Sequence, residues 1–230
     1  MFGVFGVELA FEHLRLDAAL LPLAVMAMFV ASTVAILQTD LKRLLAYSSV
    51  AQVGYMVLGL SFASVDGLTG GIVHLFNHAL LKSGLFLAVA CFVLRLGSSR
   101  LEDLRGVGRR MPLTAAAFVV CGLSLIGVPL TAGFVSKWYL VTAATDGGPW
   151  PVAVLVLASS LLAVLYVWRV VEIAYFQPPP EGAPAVREAP WSLLGPTWVL
   201  AAATVVFGVW TEVNVDVARA AAEHLLGVAP

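Results

Sequence analysis

The sequence is poor in charge. Only 12% of its 230 residues are Asp, Glu, Lys or Arg, whereas 60% are hydrophobic. A soluble domain carries about 25% charged residues, so a soluble fold of this size would lack polar residues to cover its surface. The net charge of −1 gives no electrostatic basis for binding nucleic acid or an acidic substrate. These shortages predict a chain whose main solvent is lipid.

Cysteine is scarce as well. Cys91 and Cys121 both lie in apolar runs, which favours small core residues over a disulfide or a metal pair. The apolar N-terminus lacks a basic start, so we predict no cleavable signal. The sequence offers no recognisable redox cofactor site, and we predict no cofactor, no metal and no catalytic residue.

Long hydrophobic runs fill the rest of the chain, and six of them approach or exceed the roughly 20 residues that a helical membrane span needs. They are Leu20–Leu37, Leu44–Ala63, Leu68–Leu94, Pro112–Ala144, Pro151–Phe176 and Trp191–Trp210. These runs lack the two-residue alternation of a transmembrane barrel. We therefore predict an all-α integral membrane bundle of about six transmembrane helices. It would comprise a connector over residues 1–19, the transmembrane helices over 20–210 and a C-terminal interfacial helix over 211–230.

The loops between the runs differ in basic residues. Eight Lys or Arg fall in alternate loops on one side, two fall on the other side, and three of the thirteen lie inside spans. Basic residues mark the cytoplasmic side, so both termini should lie on the opposite side. The alternation holds only if Pro112–Ala144 crosses once, which predicts that the turns at Asp66 and Asp146 share a side.

The segment HLFNHALLKSGLFLA carries His74, His78 and Lys82 at positions i, i+4 and i+8. On a helix they follow nearly one face over about 12 Å. A charged side chain at the bilayer centre costs roughly 2.5–3.5 kcal/mol. Three ionisable groups on one face of an apolar helix therefore indicate a function, and we predict a proton relay. The alternative is polar contact between helices, as Asn77 supplies. Zinc would need two further ligands, and a bis-histidine haem would need partner histidines elsewhere.

The segment LSLIGVPLTAGFVSKWYLV is interrupted at Gly127, Pro129 and Gly133. Proline removes a backbone donor and clashes with the preceding turn. Broken helices at membrane depth expose carbonyls and often mark ion sites in transporters. Because Lys137 follows the break by one helical turn, we predict that it belongs to the relay. The alternative is a proline kink with Lys137 snorkelling to the interface.

Two further groups are possible accessory residues. Asp40 and Lys42 stand at a cytoplasmic turn, where a helix cap and a positive anchor are the favoured interpretations. Arg169 and Glu172, spaced i and i+3 near the cytoplasmic end of a span, are expected to form an anchoring ion pair.

Three motifs occur in order along the chain: QTDLKRLLAYSSVAQVGY, HLFNHALLKSGLFL and GLSLIGVPLTAGFVSKW. Together they resemble the proton-conducting antiporter-like subunits shared by Mrp-type sodium/proton antiporters and respiratory complex I. The resemblance runs from about Leu20 to Phe176. It implies that His74, His78 and Lys82 form the central relay and that Lys137 ends a half-channel on a discontinuous helix.

Members of this family typically have about fourteen helices in two inverted halves, and this chain resembles only the later part. The resemblance therefore implies a truncated product, a fragment or one piece of a split subunit. Other membrane subunits are the expected partners, and a separate chain could supply the earlier helices. A bacterial plasma membrane is the expected location, with lipid around the bundle and no nucleic acid partner.

Three functions follow from the resemblance. The first is membership of a multisubunit monovalent cation/proton antiporter, where the chain is similar to the D component of the Mrp complex. The second is a proton-translocating role in the membrane arm of NADH:quinone oxidoreductase, where it is similar to subunits M and N. That role would make the chain part of a redox-driven enzyme without a catalytic site of its own. The third is a structural remnant that conducts nothing, for which Lys82 and Lys137 would be dispensable.

Overall fold

The computed structural model describes residues 9–146, 148–180, 182 and 186–228. In these ranges eight main helices form the bundle: α1 Leu16–Leu37, α2 Leu41–Ser61, α3 Val65–Leu96, α4 Pro112–Ile126, α5 Ala132–Thr145, α6 Pro151–Val171, α7 Trp191–Val209 and α8 Glu212–Leu226. Short π-helical turns lie at Leu9–His13 and Glu172–Phe176, a 3-10 turn at Leu101–Leu104 and an α-helical turn at Val107–Arg110. The described residues form no β-sheet, and an all-α membrane bundle is confirmed.

Five helices of the described chain have the length and apolarity of membrane spans: α1, α2, α3, α6 extended to Phe176, and α7. Each one overlaps a predicted span. The remaining predicted span, Pro112–Ala144, is divided into α4 and α5, which are each too short to cross alone. The predicted count of six crossings with one discontinuous helix therefore agrees with the structure.

The two sides of the bundle carry different cavities. Asp66, Asp146 and Pro149 line a cavity of about 690 Å³ at one end, so the two turns poor in basic residues share a side as predicted. Arg100, Arg105 and Arg169 line a second cavity of about 410 Å³. Because α4 begins beside the basic loops and α5 ends beside Asp66, the pair crosses the bundle once.

The first turn of α2 is capped as predicted. The Asp40 carboxylate accepts a hydrogen bond from the Arg43 backbone N–H at 3.1 Å and another from the Ser99 hydroxyl. Desolvation raises the pKa of Asp40, but these hydrogen bonds outweigh it and leave that pKa below its usual value of 3.8. Asp40 also forms an isolated antiparallel bridge with Arg100, which ties the α1–α2 turn to the loop after α3.

Glu188, in the loop before α7, caps the N-terminal end of α4. Its carboxylate accepts from the Leu113 backbone N–H and from the Thr114 hydroxyl at the start of α4. Its backbone oxygen accepts from Arg95 Nη2 at 2.6 Å. An anion at a helix N-terminus is stabilised by the free N–H groups and the helix dipole, so Glu188 fixes the entry of the broken helix.

The predicted N-terminal connector lies outside the described residues as far as residue 8. From Leu9 onward, a π-helical turn leads into α1, which begins at Leu16. The C-terminal segment forms α8, which packs along α3. Its buried residues are Val215, Ala218 and Ala222.

Candidate functional site

Lys82 is buried in the middle of α3, with 5% of its surface exposed. Its ammonium donates to the Leu45 carbonyl oxygen at 2.8 Å and to the Ser48 hydroxyl, both on α2. Hydrogen bonds from a charged donor are roughly twice as strong as neutral ones, and they offset part of the cost of burying the ammonium. Lys82 therefore faces the bundle interior, as its spacing predicts.

His74 lies two helical turns before Lys82 and is 1% exposed. Its Nδ1 is 2.8 Å from the Ser136 hydroxyl on α5, so one ring nitrogen has a fixed partner. The ring of His78, which is partly buried, is stacked near that of His74 with a centroid separation of 6.4 Å. The Nε2 atoms of both histidines are buried without a hydrogen-bond partner among the described residues. Each ring therefore has a nitrogen free to accept or pass on a proton.

Lys137 lies on α5 and is 6% exposed. Its ammonium donates to the carbonyl oxygens of Leu125 at 3.1 Å and Ile126 at 2.7 Å. It also lies 4.8 Å from the centre of the Tyr55 ring, within range of a cation–π attraction. A snorkelling lysine would direct its ammonium to the interface, so this burial excludes that alternative.

The break between α4 and α5 creates the carbonyl pair that Lys137 binds. Gly127 ends α4 with a left-handed φ of 91°, and its N–H and that of Val128 both donate to the Leu123 oxygen. This Schellman-type ending stops the regular ladder, so the carbonyls of Leu125 and Ile126 lack their usual helical donors. The negative end of the α4 dipole also points toward the Lys137 ammonium.

Glycine at position 133 allows the two half-helices to meet. A Cβ atom there would overlap the Ser124 carbonyl oxygen, and the Gly133 N–H donates to the Ser124 hydroxyl at 3.1 Å. Helix α7 also approaches the break closely at Gly208, where a Cβ would overlap the Thr131 backbone. Of the three predicted break residues, Gly127 and Gly133 thus have defined geometric roles, and Pro129 lies in the connection between the half-helices.

Asn77 joins three helices beside the predicted relay residues. Its amide donates to the Ala132 carbonyl at 2.6 Å, and its oxygen accepts from Asn214 on α8 at 3.2 Å. Nearer the N-terminal end of α3, Arg219 of α8 forms an ion pair with Asp66 at 2.6 Å. Helix α8 is therefore fastened to α3 at two levels, one of them beside the start of α5.

The predicted ion pair between Arg169 and Glu172 is wrong. Arg169 donates instead to the carbonyl oxygens of Ile36 and of Gln38, the latter at 2.9 Å. These carbonyls lie at the C-terminal end of α1, where a cation is stabilised by the helix dipole. The C-terminal end of α1 therefore replaces Glu172 as the partner of Arg169, and these hydrogen bonds join α6 to α1.

The predicted accessory residues lie away from the relay. Asp40 caps α2 at the basic side of the bundle. Lys42 is exposed and lines an apolar groove with Phe86 and Leu193. Glu172 lines the second cavity with Arg169. His74, Lys82 and Lys137 are thus buried, His78 is partly buried beside His74, and the other four predicted residues lie elsewhere.

Several residues at the site were not among the predicted relay residues. Ser136 holds the His74 ring, Tyr55 lies under the Lys137 ammonium, and Asn214 reaches the relay from the last helix. Tyr55 and Ser48 stand in the motif QTDLKRLLAYSSVAQVGY, where their helical spacing gave a weak signal. Ser136 and Asn214 gave none, because only the packing of distant helices brings them to α3.

The family described as NADH:quinone oxidoreductase/Mrp antiporter, TM, matches residues 2–163. The chain belongs to this family. It is 45% identical over 193 residues to NADH-quinone oxidoreductase subunit N of Desulforudis audaxviator, an alignment that covers 79% of this chain and 38% of that protein.

Solved structures agree with this assignment. The Mrp complex from Dietzia sp. contains a chain that matches with a TM-score of 0.87 and 25% identity, covering 92% of this chain and 48% of that one. Respiratory complex I from Thermus thermophilus matches with a TM-score of 0.83 and 25% identity, covering 98% of this chain and 48% of that one. The chain therefore spans less than half the length of these relatives.

Proposed function

We propose that this chain is the later part of a proton-translocating membrane-arm subunit of a respiratory NADH:quinone oxidoreductase type of complex. The observation that carries the proposal is the pair of buried ammonium groups, Lys82 and Lys137, at the two ends of a line that includes His78 and His74. Each ammonium is held by backbone carbonyls, so each site accommodates the charged form inside the bundle.

Proton movement along this line needs groups that alternate between donor and acceptor. An ammonium group donates a proton and the amine accepts one, and an imidazole accepts at one nitrogen while donating from the other. His74 connects to the Lys137 site through Tyr55, whose ring centre is 5.3 Å from that of His74. A proton entering at one lysine and leaving at the other restores every group to its initial state.

The composition of the line favours protons over metal cations. Among the described residues, no buried side chain is a carboxylate, and the buried basic side chains are His74, Lys82 and Lys137. Sodium and potassium bind oxygen-rich sites, and positive ammonium groups repel them. We therefore assign proton transfer to this chain and any metal-cation coupling to other subunits.

The antiporter hypothesis remains the second candidate. The structural likeness to a chain of an Mrp complex supports it. The Desulforudis relative, at 45% identity, is named as a respiratory subunit N, and this identity favours the respiratory branch. Both alternatives make the chain part of a multisubunit membrane assembly, and we propose a bacterial plasma membrane as its location. A separate chain that supplies further helices stays a prediction.

Substitution of Lys137 tests the proposal. In the assembled complex in vesicles, Lys137→Ala should abolish proton uptake measured with an internal pH-sensitive dye, while the amount of assembled complex is unchanged. Lys137→Arg should also block transport, because an arginine stays charged and cannot complete the protonation cycle. Lys42→Ala, which removes an exposed lysine, is the matched control and should transport normally.

The structural-remnant hypothesis predicts the opposite result. If Lys137→Ala transported protons at the rate of the unaltered complex with assembly intact, the relay would be refuted and a structural role would stand. A loss of both transport and assembly would be resolved by Lys137→Met, which preserves the length of the side chain without its charge.

A further inference from the structure

Helix α2 carries a polar face of its own. Ser48, Gln52 and Tyr55 are spaced i, i+4 and i+7, and all three are buried. Ser48 accepts from the Lys82 ammonium, and Tyr55 lies under the Lys137 ammonium. The polar face of α2 therefore lies between Lys82 and Lys137. The histidines of α3 lie between the same two lysines, on the opposite side of the bundle interior.

The middle of this face meets a tyrosine from another helix. Tyr166 of α6 is completely buried, and the Gln52 side chain lies beside its hydroxyl. Neither the Tyr166 hydroxyl nor the Gln52 oxygen has a hydrogen-bond partner among the described residues.

Unpaired polar groups at this depth are costly. A buried hydroxyl or amide without a partner costs about 1–3 kcal/mol, and lipid offers no replacement. Phenylalanine and leucine would fill the same volumes at no such cost. Buried polar atoms without a protein partner are commonly joined by ordered water, which needs two to four polar neighbours.

We propose that Tyr166 and Gln52 hold water between them and so form a second wall of the proton path between Lys82 and Lys137. This inference rests on the proposed function of the two lysines. The tyrosine hydroxyl donates its proton to a water on one side while it accepts a proton from a water on the other side, so its charge does not change. The Gln52 oxygen accepts from the water and fixes its orientation.

The substitution Tyr166→Phe separates transport from packing. It removes only the hydroxyl oxygen, which no described protein group binds, and keeps the ring that packs in the core cluster. A purely structural role predicts unchanged transport and an equal or higher thermal midpoint. The proposed role predicts about a fivefold lower proton flux in the assembled complex, the rate equivalent of one lost hydrogen bond of about 1 kcal/mol.

Coupling between the two residues gives a second readout. Gln52→Leu should also lower the flux, and the double variant Gln52→Leu with Tyr166→Phe should lose no more than the larger single effect, because both act on the same water. Tyr47→Phe is the matched control, since Tyr47 is on α2 but largely exposed, and its flux should be unchanged.

The outcomes distinguish this inference from the function on which it rests. If Lys137→Ala abolishes transport and Tyr166→Phe leaves it unchanged, the second wall is refuted and the proposed function stands. If Lys137→Ala transports normally, both are refuted. Multiplying flux losses in the double variant would show that the two residues act independently and would overturn the shared water.

Discussion

Lys82 and Lys137 are both buried lysines that donate to backbone carbonyls, but their sites are built differently. Lys82 lies against the side of a continuous helix. It shares the Leu45 carbonyl with the Ser49 hydroxyl and adds the Ser48 hydroxyl. Lys137 lies against the end of a helix and takes the carbonyls of Leu125 and Ile126, which the break has released.

This difference shows how a buried lysine and a broken helix stabilise each other. An unpaired carbonyl at membrane depth costs several kcal/mol, and so does an unpaired ammonium. Placed together at the end of α4, each satisfies the other. The Lys82 site lacks this mutual stabilisation, because α2, whose groups bind the Lys82 ammonium, is a continuous helix. Changes to the backbone at the Lys137 site should therefore have larger effects than the removal of a side chain at the Lys82 site.

The largest effect is expected for Gly133→Ala. The added methyl group would overlap the Ser124 carbonyl, so α4 and α5 would have to separate. We expect a loss of stability of about 3 kcal/mol or more, seen as a lower thermal midpoint in detergent and less chain in membranes. Gly195→Ala on α7 is the matched control, because a Cβ there meets nothing within 4 Å. Its stability should be equal or higher by up to about 1 kcal/mol. Equal stability of the two variants would contradict the close packing of the break.

A smaller effect is expected for Ser48→Ala. Lys82 would lose its hydroxyl acceptor but keep the Leu45 carbonyl, so proton flux should fall while the fold persists. The expected loss of stability is about 1–3 kcal/mol, the range for leaving one polar group without its partner. Ser61→Ala is the control, since that buried hydroxyl donates to the Leu58 oxygen of its own helix, away from Lys82. Similar flux in both variants would argue against a specific role for Ser48.

The smallest effect concerns Asp40, which lies outside the lysine sites. Its pKa is lowered in the folded chain, so the charged carboxylate stabilises the fold at pH values above its unfolded value of 3.8. That stabilisation is lost as the pH falls through the folded-state pKa. The thermal midpoint of Asp40→Asn should be lower than that of the unaltered chain near neutral pH, and the difference should shrink below about pH 3.8. Ser99→Ala removes one hydrogen bond to the Asp40 carboxylate. In that background, Asp40→Asn should change the thermal midpoint by a smaller amount. A difference that grew on acidification would contradict the assignment.

The sequence predicted the helices and the interior line because both depend on local spacing. The i, i+4, i+8 pattern of His74, His78 and Lys82 places them on one helical face wherever the helix packs. Gly127, Pro129 and Gly133 predicted the break because glycine and proline both disfavour the interior of a regular helix. Lys137 followed from its position one turn beyond the break.

Local spacing failed where a distant backbone group supplied the partner. Arg169 was expected to pair with Glu172, its neighbour at i+3, but the end of α1 offered two free carbonyls. The same limit applies to α8, whose buried residues are Val215, Ala218 and Ala222. The close approach of α3 selects small side chains, which hydrophobicity alone does not reveal.

By itself, the sequence determined that the chain lies in a membrane, where its helices run and which ionisable side chains face inward. Each of these follows from a property of one segment: its length, its apolarity or its helical spacing. Only the tertiary structure decided what each buried charge binds. Lys82 depends on α2, Lys137 on the end of α4 and Arg169 on the end of α1. Their partners are atoms of other helices, which come within reach only after the helices have packed. Nothing in the sequence identifies which helix will supply an unpaired carbonyl or hydroxyl.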